Sequence, residues 1–593
     1  MRTVYALFVG IDDYPGRPLR GCVNDVRAAE SWLSAQSSTT ETRTLYDAQA
    51  TRAAVLAGIR DHLGRGGPGD TALLWFCGHG SRRPTDDPRV ASGWSEALVC
   101  HDSLYAGGQP LLEDAELGPL LDEIAARGAH VVAVLDSCHS GGASRETRRG
   151  VDWRPWWRTS VTREVRPGPR RHVLLAACRP DEYAHEGYFD GRFRGRFSHA
   201  LLGTLDRLGP TATYGAVHAL VEAALAPRQH PELRGPENGR FLVGEALATS
   251  PFLLRHTASG WEVDCGQAHG LRATGAEFTL LGDDTSRTVV VRRLRPESVL
   301  VEPVGWQPSA ADRESVFEVT PSALAFTPAA VTLAGEPGAV RLLSTALVGE
   351  PSLAIGGDGL PLRVDAGGGW ARVSGGAGHP VPDLPLRSAA DAGRVVDCLA
   401  HIARWHRILD LTNPDPWLSS RVRVTVEPTS VGGVRYAADG EVVCGYTRDG
   451  REPQVTVRVH NDSDRQLWCV LLDLTDGYGS SPHLYEGEFI GAGKAGAARR
   501  GEPVWLRLPP GRAVVPGAFA RDWLKVIVAE RELNLAPFRL PAWPPEAGAR
   551  APMPRGGGLL RFTTPSDGRD TGNSAPGVGR WGTAQVAVRT EVT

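Results

Sequence analysis

The stretch His130-Val131-Val132-Ala133-Val134-Leu135-Asp136-Ser137-Cys138-His139-Ser140-Gly141-Gly142 decides how the first part of this chain is read. From His130 to Leu135 it is dominated by β-branched and apolar residues, which predicts a strand buried on both faces. A thiol then arrives on a polar, glycine-rich turn at the strand's carboxyl end, where open α/β sheets gather their functional groups. The same design stands upstream. Ala72 to Cys77 predicts another buried strand, and Phe76-Cys77-Gly78-His79-Gly80-Ser81 sets an imidazole between two glycines at its end. A lone cysteine reads as a small buried hydrophobe and a lone histidine as structural. Together on matching strand ends they suit a nucleophile and base, with a thiolate attacking a carbonyl and the imidazole protonating the leaving amine.

Outward from these strands, Val4 to Val9, Thr42 to Tyr46 and His172 to Cys178 predict further strands. Asn24 to Ala35, Arg52 to Leu63, Ala115 to Ala126, Phe197 to Leu208 and Tyr214 to Ala226 carry helical spacing between and after them. This alternation predicts an α/β sheet with covering helices over the first 250 or so residues. Beyond Leu253 the pattern changes to period-two runs punctuated by Gly, Asp and Pro, as in Arg287 to Arg293, Ser298 to Pro303, Gln454 to Val459 and Leu467 to Leu474. One helical stretch, Ala389 to Ile408, interrupts them, and a last strand is expected at Gln585 to Arg589.

With 593 residues the chain holds several domains, at roughly 100–200 residues each. Its 65 basic residues against 68 acidic ones leave a formal charge of −3, which removes any whole-protein driving force toward nucleic acid or an anionic membrane. The nine cysteines are odd in number, scattered and free of any C-x-x-C pair, against both a disulfide framework and a zinc knuckle. No run approaches the roughly eighteen apolar residues of a membrane span. Thr3-Val4-Tyr5-Ala6-Leu7-Phe8-Val9-Gly10 runs into Ile11-Asp12-Asp13 as a strand rather than a leader, so a cytoplasmic protein is expected.

Over roughly Met1 to Gly244 the chain resembles the caspase family, peptidase C14, and more closely its metacaspase branch. The resemblance rests on the two segments above, on Leu19-Arg20-Gly21-Cys22-Val23-Asn24-Asp25, on Leu174-Leu175-Ala176-Ala177-Cys178-Arg179-Pro180-Asp181-Glu182 and on Gly195-Arg196-Phe197-Ser198-His199-Ala200-Leu201. It implies an α/β caspase-hemoglobinase fold, a Cys138/His79 dyad, and an oxyanion hole made by the backbone N–H groups of Gly80 and Cys138. It further implies a substrate pocket lined by Asp25 and Asp136, with Cys22 and Cys77 on its wall, which takes Arg in preference to Lys because a guanidinium fork matches paired carboxylates. Metacaspases often bind calcium through aspartates, one of them seven residues after the nucleophile. Here that position is Arg145, and Asp102, Glu113, Asp114 and Glu116 read as a solvated surface. No metal site and no cofactor are therefore expected; stimulation by calcium through an acidic loop of these residues stays open, but not a strict requirement for it.

The segment between the nucleophile and the strand at His172 carries Arg145, Arg148, Arg149, Arg154, Arg158, Arg163, Arg166, Arg170 and Arg171, interleaved with Trp153, Trp156 and Trp157. The resemblance makes it the linker between the large and small catalytic segments, and an Arg-specific protease would find its own cleavage sites there. The alternative is a basic surface that binds an acidic partner or nucleic acid. In the later half, Val457 to Ser463, Leu467 to Leu472 and Trp523 to Val528 resemble a β-sandwich that accompanies some bacterial caspase-like proteases, with a recognition or regulatory role. The expected organisation is a caspase-like peptidase domain over 1–250 (large segment 1–144, Arg-rich linker 145–171, small segment 172–250), a β-rich module over 251–335, a mixed β/helical module over 336–420, a β-sandwich-like module over 421–543 and a Gly/Pro-rich tail over 544–593. The expected function is a zymogen endopeptidase cleaving after Arg in a bacterial defence, stress or cell-death cascade. Its expected partners are protein substrates and an upstream activating protease, with no membrane and with nucleic acid disfavoured. A caspase-fold scaffold and a nucleic-acid binder acting through the Arg/Trp loop are the rivals.

Overall fold

In a computed structural model of the chain, the apolar run near the start forms strand β1 (Thr3–Gly10). The structure describes residues 2–36, 39–85, 87, 90–104, 108–138, 171–179, 182–247, 250, 252–272, 274–281, 287–323, 327–413, 416–429, 433–509, 511–544 and 580–592. Two units are present, one of residues 1–249, 255–258 and 309–316, the other of residues 250–254, 259–308 and 317–593.

In the first unit β1 is followed by α1 (Cys22–Ser34), β2 (Thr39–Tyr46), α2 (Arg52–Ala57), β3 (Thr71–Pro84), β4 (Trp94–Leu98), β5 (Leu112–Glu113), α3 (Asp114–Ala125) and β6 (His130–Cys138). Then come β7 (Val173–Ala176), β8 (Glu186–Phe189), β9 (Arg192–Gly195), α4 (Arg196–Leu208), α5 (Tyr214–Leu225) and β10 (Glu232–Arg234). The main sheet runs β10-β7-β6-β3-β1-β2. It is parallel throughout except for β10, which lies antiparallel to β7. Both faces are covered, which explains the continuous apolar runs of β1, β3 and β6. Val26, Ala29 and Leu33 of α1 pack with Phe197, Leu201 and Leu205 of α4 against one face, and Leu56 of α2 with Leu117 and Leu121 of α3 against the other.

Two elements differ from expectation. The helix expected over Arg52 to Leu63 is α-helical only to Ala57 and continues as a wider turn over Gly58–His62. Gly58 presses on β1, where a Cβ would stand 2.7 Å from the Leu7 side chain, and glycine inside a helix weakens it. The strand expected over His172 to Cys178 pairs only through Val173–Ala176.

In the second unit a closed six-stranded barrel is built from Phe252–Thr257, Gly260–Val263, Glu277–Leu280, Thr288–Leu294, Val299–Val304 and Val316–Ala323. A five-stranded sheet between Ala329 and Pro385 carries the helices Pro337–Leu347 and Ala389–Leu409. Four- and six-stranded sheets follow. The strand Trp581–Glu591 lies inside the six-stranded sheet, antiparallel to Phe519–Ala529 and parallel to Val442–Gly445. The last strand expected at Gln585 to Arg589 is thus present and longer, and it is an interior strand whose backbone groups are paired on both sides, inside the segment expected as a tail. Residues 545–579 lie outside the described residues. Among the described residues no helix is long and apolar enough to cross a membrane.

Candidate active site

Register brings the two expected catalytic positions together. β3 and β6 are neighbouring parallel strands with Cys77 opposite Asp136, Gly78 opposite Ser137 and His79 opposite Cys138. Neighbouring strands stand about 4.8 Å apart, so the backbones of His79 and Cys138 are adjacent at the carboxyl ends of their strands. The imidazole of His79 is held by the loop that leaves β1, its Nε2 lying 2.9 Å from the carbonyl oxygen of Arg17. A carbonyl has no proton to give, so Nε2–H donates and Nδ1 carries the lone pair. Burial is the first cause lowering the His79 pKa below its ordinary 6.5, which keeps the ring neutral. A neutral ring with a fixed tautomer is the state a general base needs.

Tyr14, from the same loop, fixes the backbone on which that ring sits. Val99 N–H donates to His79 O at 3.0 Å, so residues 79 and 99 form a hydrogen-bonding pair. The reciprocal bond is not direct: His79 N–H donates to the Tyr14 hydroxyl at 3.1 Å, and that hydroxyl donates to Val99 O at 2.8 Å. The two rings lie 4.6 Å apart. Gly78 must lack a side chain here, since a Cβ would stand 2.5 Å from the Tyr14 hydroxyl. Gly80 faces Leu98 in the next, non-hydrogen-bonding pair, which turns its N–H away from β4 and toward the side of β6. Gly80 and Cys138 were expected to supply the oxyanion donors, and this register puts the Gly80 amide on the side where β6 ends.

One pleat below the dyad positions lie the expected pocket residues. Asp25, Cys77 and Asp136 are buried, and their side-chain ligand atoms lie within 4.8 Å of one another. Each carboxylate has a defined task. Asp136 accepts the Ser198 N–H at 3.0 Å, an otherwise unpaired amide in the first turn of α4. Asp25, on α1, accepts the Gly195 N–H at 2.6 Å and pairs with the guanidinium Nε of Arg194. Gly195 is required by this crowding, because a Cβ there would collide with the Asp136 carboxylate. Burial first, and the Asp136 charge second, push the Asp25 carboxyl up to about 8, with Arg194 opposing. Burial also raises Asp136, opposed by the hydrogen bonds from Ser198.

Of the two wall cysteines, Cys77 belongs to this cluster, its Sγ 3.6 Å from the Ser198 hydroxyl. Cys22 lies in a neighbouring group with Asp12 and Glu186. There Asp12 accepts the Cys22 N–H at 2.9 Å, and Glu186 accepts the Gly21 N–H at 2.6 Å. Burial holds both thiols far above the ordinary cysteine range, so neither ionises as a nucleophile.

Arg194 was not foreseen. It sits on a hairpin, β8–β9, whose turn residues Asp190 and Gly191 have φ of 48° and 79°. Asp-Gly between the short aromatic runs Glu186–Phe189 and Arg192–Gly195 is a hairpin signal that the sequence carries. Arg17 carries no such signal, since it acts through its carbonyl.

The remaining expected residues are placed as follows. Arg52 donates its backbone N–H to Asp102 at 2.8 Å and its guanidinium to Glu116, while Glu113 pairs with Arg83 at 3.5 Å. Among the described residues none of these acids belongs to a group of three metal-ligating side chains. Arg171 donates its backbone N–H to Asp122 at 2.7 Å. Arg145, Arg148, Arg149, Arg154, Arg158, Arg163, Arg166 and Arg170 lie outside the described residues.

Comparison with known proteins agrees with this geometry. The family model for the caspase domain, peptidase C14, matches residues 3–241. Metacaspase-1 of Mycosarcoma maydis is 31% identical over 147 residues, 23% of this chain and 36% of that protein. Metacaspase-1 of Coccidioides immitis is 28% identical over 147 residues, 23% of this chain and 31% of that protein. The chain thus spans about a third of the length of the curated relatives it matches. A solved structure from Geobacter sulfurreducens matches at 22% identity and a TM-score of 0.34, covering 42% of this chain and 98% of its own. With the histidine and cysteine positions in register at the ends of adjacent parallel strands, residues 3–241 form a caspase domain, similar to part of the metacaspases it matches.

Proposed function

We propose that the protein is a cysteine endopeptidase that cleaves its protein substrates after arginine, and less well after lysine, through Cys138 as nucleophile and His79 as base. Nδ1 of His79 takes the thiol proton, the thiolate attacks the carbonyl, and the N–H groups of Gly80 and Cys138 receive the oxyanion. The same imidazole then protonates the leaving amine. Arginine preference is carried by one observation: Asp136 stands two residue pairs below the dyad positions, the buried carboxylate of Asp25 lies within 4.8 Å of it, and Asp25 already pairs with a guanidinium of the chain itself. An acidic side chain there would face both carboxylates. The protein is further read as a cytoplasmic zymogen, activated by cleavage between Arg145 and Arg171, in a bacterial defence, stress or cell-death cascade. That part rests on the arginine-rich composition of the segment and on the family resemblance.

The test is a peptide library digested by wild type and by Cys138→Ala, with cleavage positions read by mass spectrometry. Cleavage after Arg that disappears with Cys138→Ala, and falls about 10²–10⁴-fold with His79→Ala, is expected. Wild-type cleavage after Asp, or turnover surviving in the Cys138→Ala protein, would sink the assignment.

A further inference from the structure

We infer that Arg194 is the resting occupant of the arginine subsite, and that a substrate arginine binds by exchanging with it. The inference rests on the arginine-subsite reading proposed above and adds what fills that site before substrate arrives.

The contact is buried: the Arg194 side chain is 9% exposed and that of Asp25 is 1% exposed. A guanidinium placed there only to neutralise a structural carboxylate should have its donors satisfied, as buried polar groups are. Instead Nη2 of Arg194 is buried without a hydrogen-bond partner among the described residues. One face of the fork therefore meets Asp25 while another donor is left over, and the second carboxylate of the cluster, Asp136, accepts the amide of Ser198 and feels the Arg194 charge. This is an imperfect fit of a guanidinium to a two-carboxylate site, and a ligand approaching from the groove could fit it better.

The element that carries Arg194 is built to yield. β8 and β9 pair only with each other, apart from the main sheet. An isolated two-stranded hairpin is marginal by itself. Among the described residues, none between Glu186 and Gly195 belongs to the buried apolar cluster beneath α1 and α4. What fastens the hairpin is polar and aromatic: Glu186 on the N–H groups of Arg20 and Gly21, the Asn24 amide on Phe193 O at 3.0 Å, Arg20 over the Phe193 ring, and Phe189 stacked on His199 at 4.3 Å. Displacing it breaks the bonds of Glu186 and Asn24, which water can replace, while the residues of the apolar cluster are not its own. The exchange also conserves charge between its end states, since an incoming guanidinium takes over from an outgoing one beside the two carboxylates. Its consequence for recognition is a reduced apparent affinity, because only the fraction of molecules with Arg194 displaced can accept substrate.

The experiment uses the full chain carrying Cys138→Ala, so that binding is read without turnover. Acetyl-Gly-Gly-Arg amide and its neutral citrulline counterpart are titrated calorimetrically into that protein with and without Arg194→Gln. Arg194→Gln is expected to tighten binding of the arginine peptide at least tenfold and to leave the citrulline peptide unchanged. Arginine bound better than citrulline but with equal or weaker affinity after Arg194→Gln would overturn the exchange while leaving the subsite in place. Failure of both proteins to distinguish arginine from citrulline would overturn the subsite reading and the inference with it. A second measurement needs no change at Arg194: hydrogen exchange of amides 186–195, with and without saturating arginine peptide. Faster exchange in the complex supports displacement, and unchanged or increased protection refutes it.

Discussion

The hydroxyl of Tyr14 accepts the backbone N–H of His79 at 3.1 Å, in the place where a strand partner's carbonyl would ordinarily stand. Because the same hydroxyl donates to Val99 O, the loop after β1 is threaded into the β3 ladder at the residue that carries the base. Tyr14→Phe keeps the ring and removes this bridge, leaving a buried N–H and a buried carbonyl unpaired. A loss of about 1–3 kcal/mol of stability is expected in chemical denaturation. Misplacement of the imidazole should lower kcat roughly ten- to a hundredfold with little change in KM. Wild-type kcat in Tyr14→Phe would show that the tyrosine has no part in positioning the base.

The protonation state of His79 sets the acid limb of the pH profile. A base must be neutral, and a group whose pKa is lowered stays neutral to lower pH. Burial lowers His79 below 6.5, so the ring is already mostly neutral at pH 6.5. We expect the acid limb of kcat/KM for an arginine peptide to lie at lower pH than an ordinary imidazole would give, with its half-maximal point below pH 6.5. A half-maximal point above pH 7 would contradict the buried, neutral imidazole.

Arginine recognition through Asp136 can be separated from folding by the conservative change Asp136→Asn, whose amide oxygen still accepts from Ser198 N–H. Loss of one charge-assisted contact should cost about 1.5–3 kcal/mol of transition-state binding, roughly ten- to 150-fold in kcat/KM. Lysine peptides should lose less than arginine peptides, since a point charge gains less from a paired acceptor. An unchanged preference after Asp136→Asn would move the specificity elsewhere.

Much of the first unit was legible because its strands are buried on both faces and its functional residues stand at strand ends. Apolar runs such as Leu73 to Phe76 and Val131 to Val134 announce their strands, and the parallel register of β3 and β6 then converts two separate motifs into one pair. What escaped reading acts through backbone or through distance. Arg17 contributes a carbonyl, which no side chain advertises. Tyr14 acts from 65 residues away in sequence, and Arg194 reaches Asp25 across 169. The strand around Gln585 to Arg589 was legible, but not its interior place between Val442–Gly445 and Phe519–Ala529, which are far off in sequence, and pairing of that kind leaves no local trace.

Activity should not depend strictly on calcium. The acids near Asp102 are already engaged by Arg52 and Arg83, and Arg145 puts a cation where metacaspases carry a ligand. Turnover of an arginine peptide in EGTA is expected within about twofold of that in millimolar calcium, as carboxylates already engaged, with a cation in place of one ligand, bind the ion weakly. Complete loss in EGTA, restored by calcium and not by magnesium, would reverse this.

Cleavage between Arg145 and Arg171 should switch the enzyme on and leave its two pieces associated. β6 ends at Cys138 and β7 begins at Val173, and the two are parallel neighbours with Val132 to Leu135 opposite Val173 to Ala176. The polypeptide between them is not what holds them together. Sheet hydrogen bonds, the pairing of β10 on β7, and the burial of Val134 and Leu175 in one apolar cluster all survive a nick. An intact connection, by contrast, tethers the Cys138 turn to His172, itself fixed by Nδ1 on Asp122 at 2.7 Å. Such a tether can hold the nucleophile's turn away from its working geometry, and cutting it releases the turn without disturbing the sheet. Arginine is the only basic residue in that segment, so an arginine-specific enzyme, the protein itself or a partner, is the matching trigger. A variant with all nine arginines changed to Gln should fold with wild-type unfolding temperature, stay full-length through purification and incubation, and turn over arginine peptides at a small fraction of the cut enzyme's rate. Placing a site for an unrelated protease in the same segment should restore activity on digestion, with both fragments co-eluting in size-exclusion chromatography. Full activity in the uncut nine-arginine variant would refute activation by cleavage.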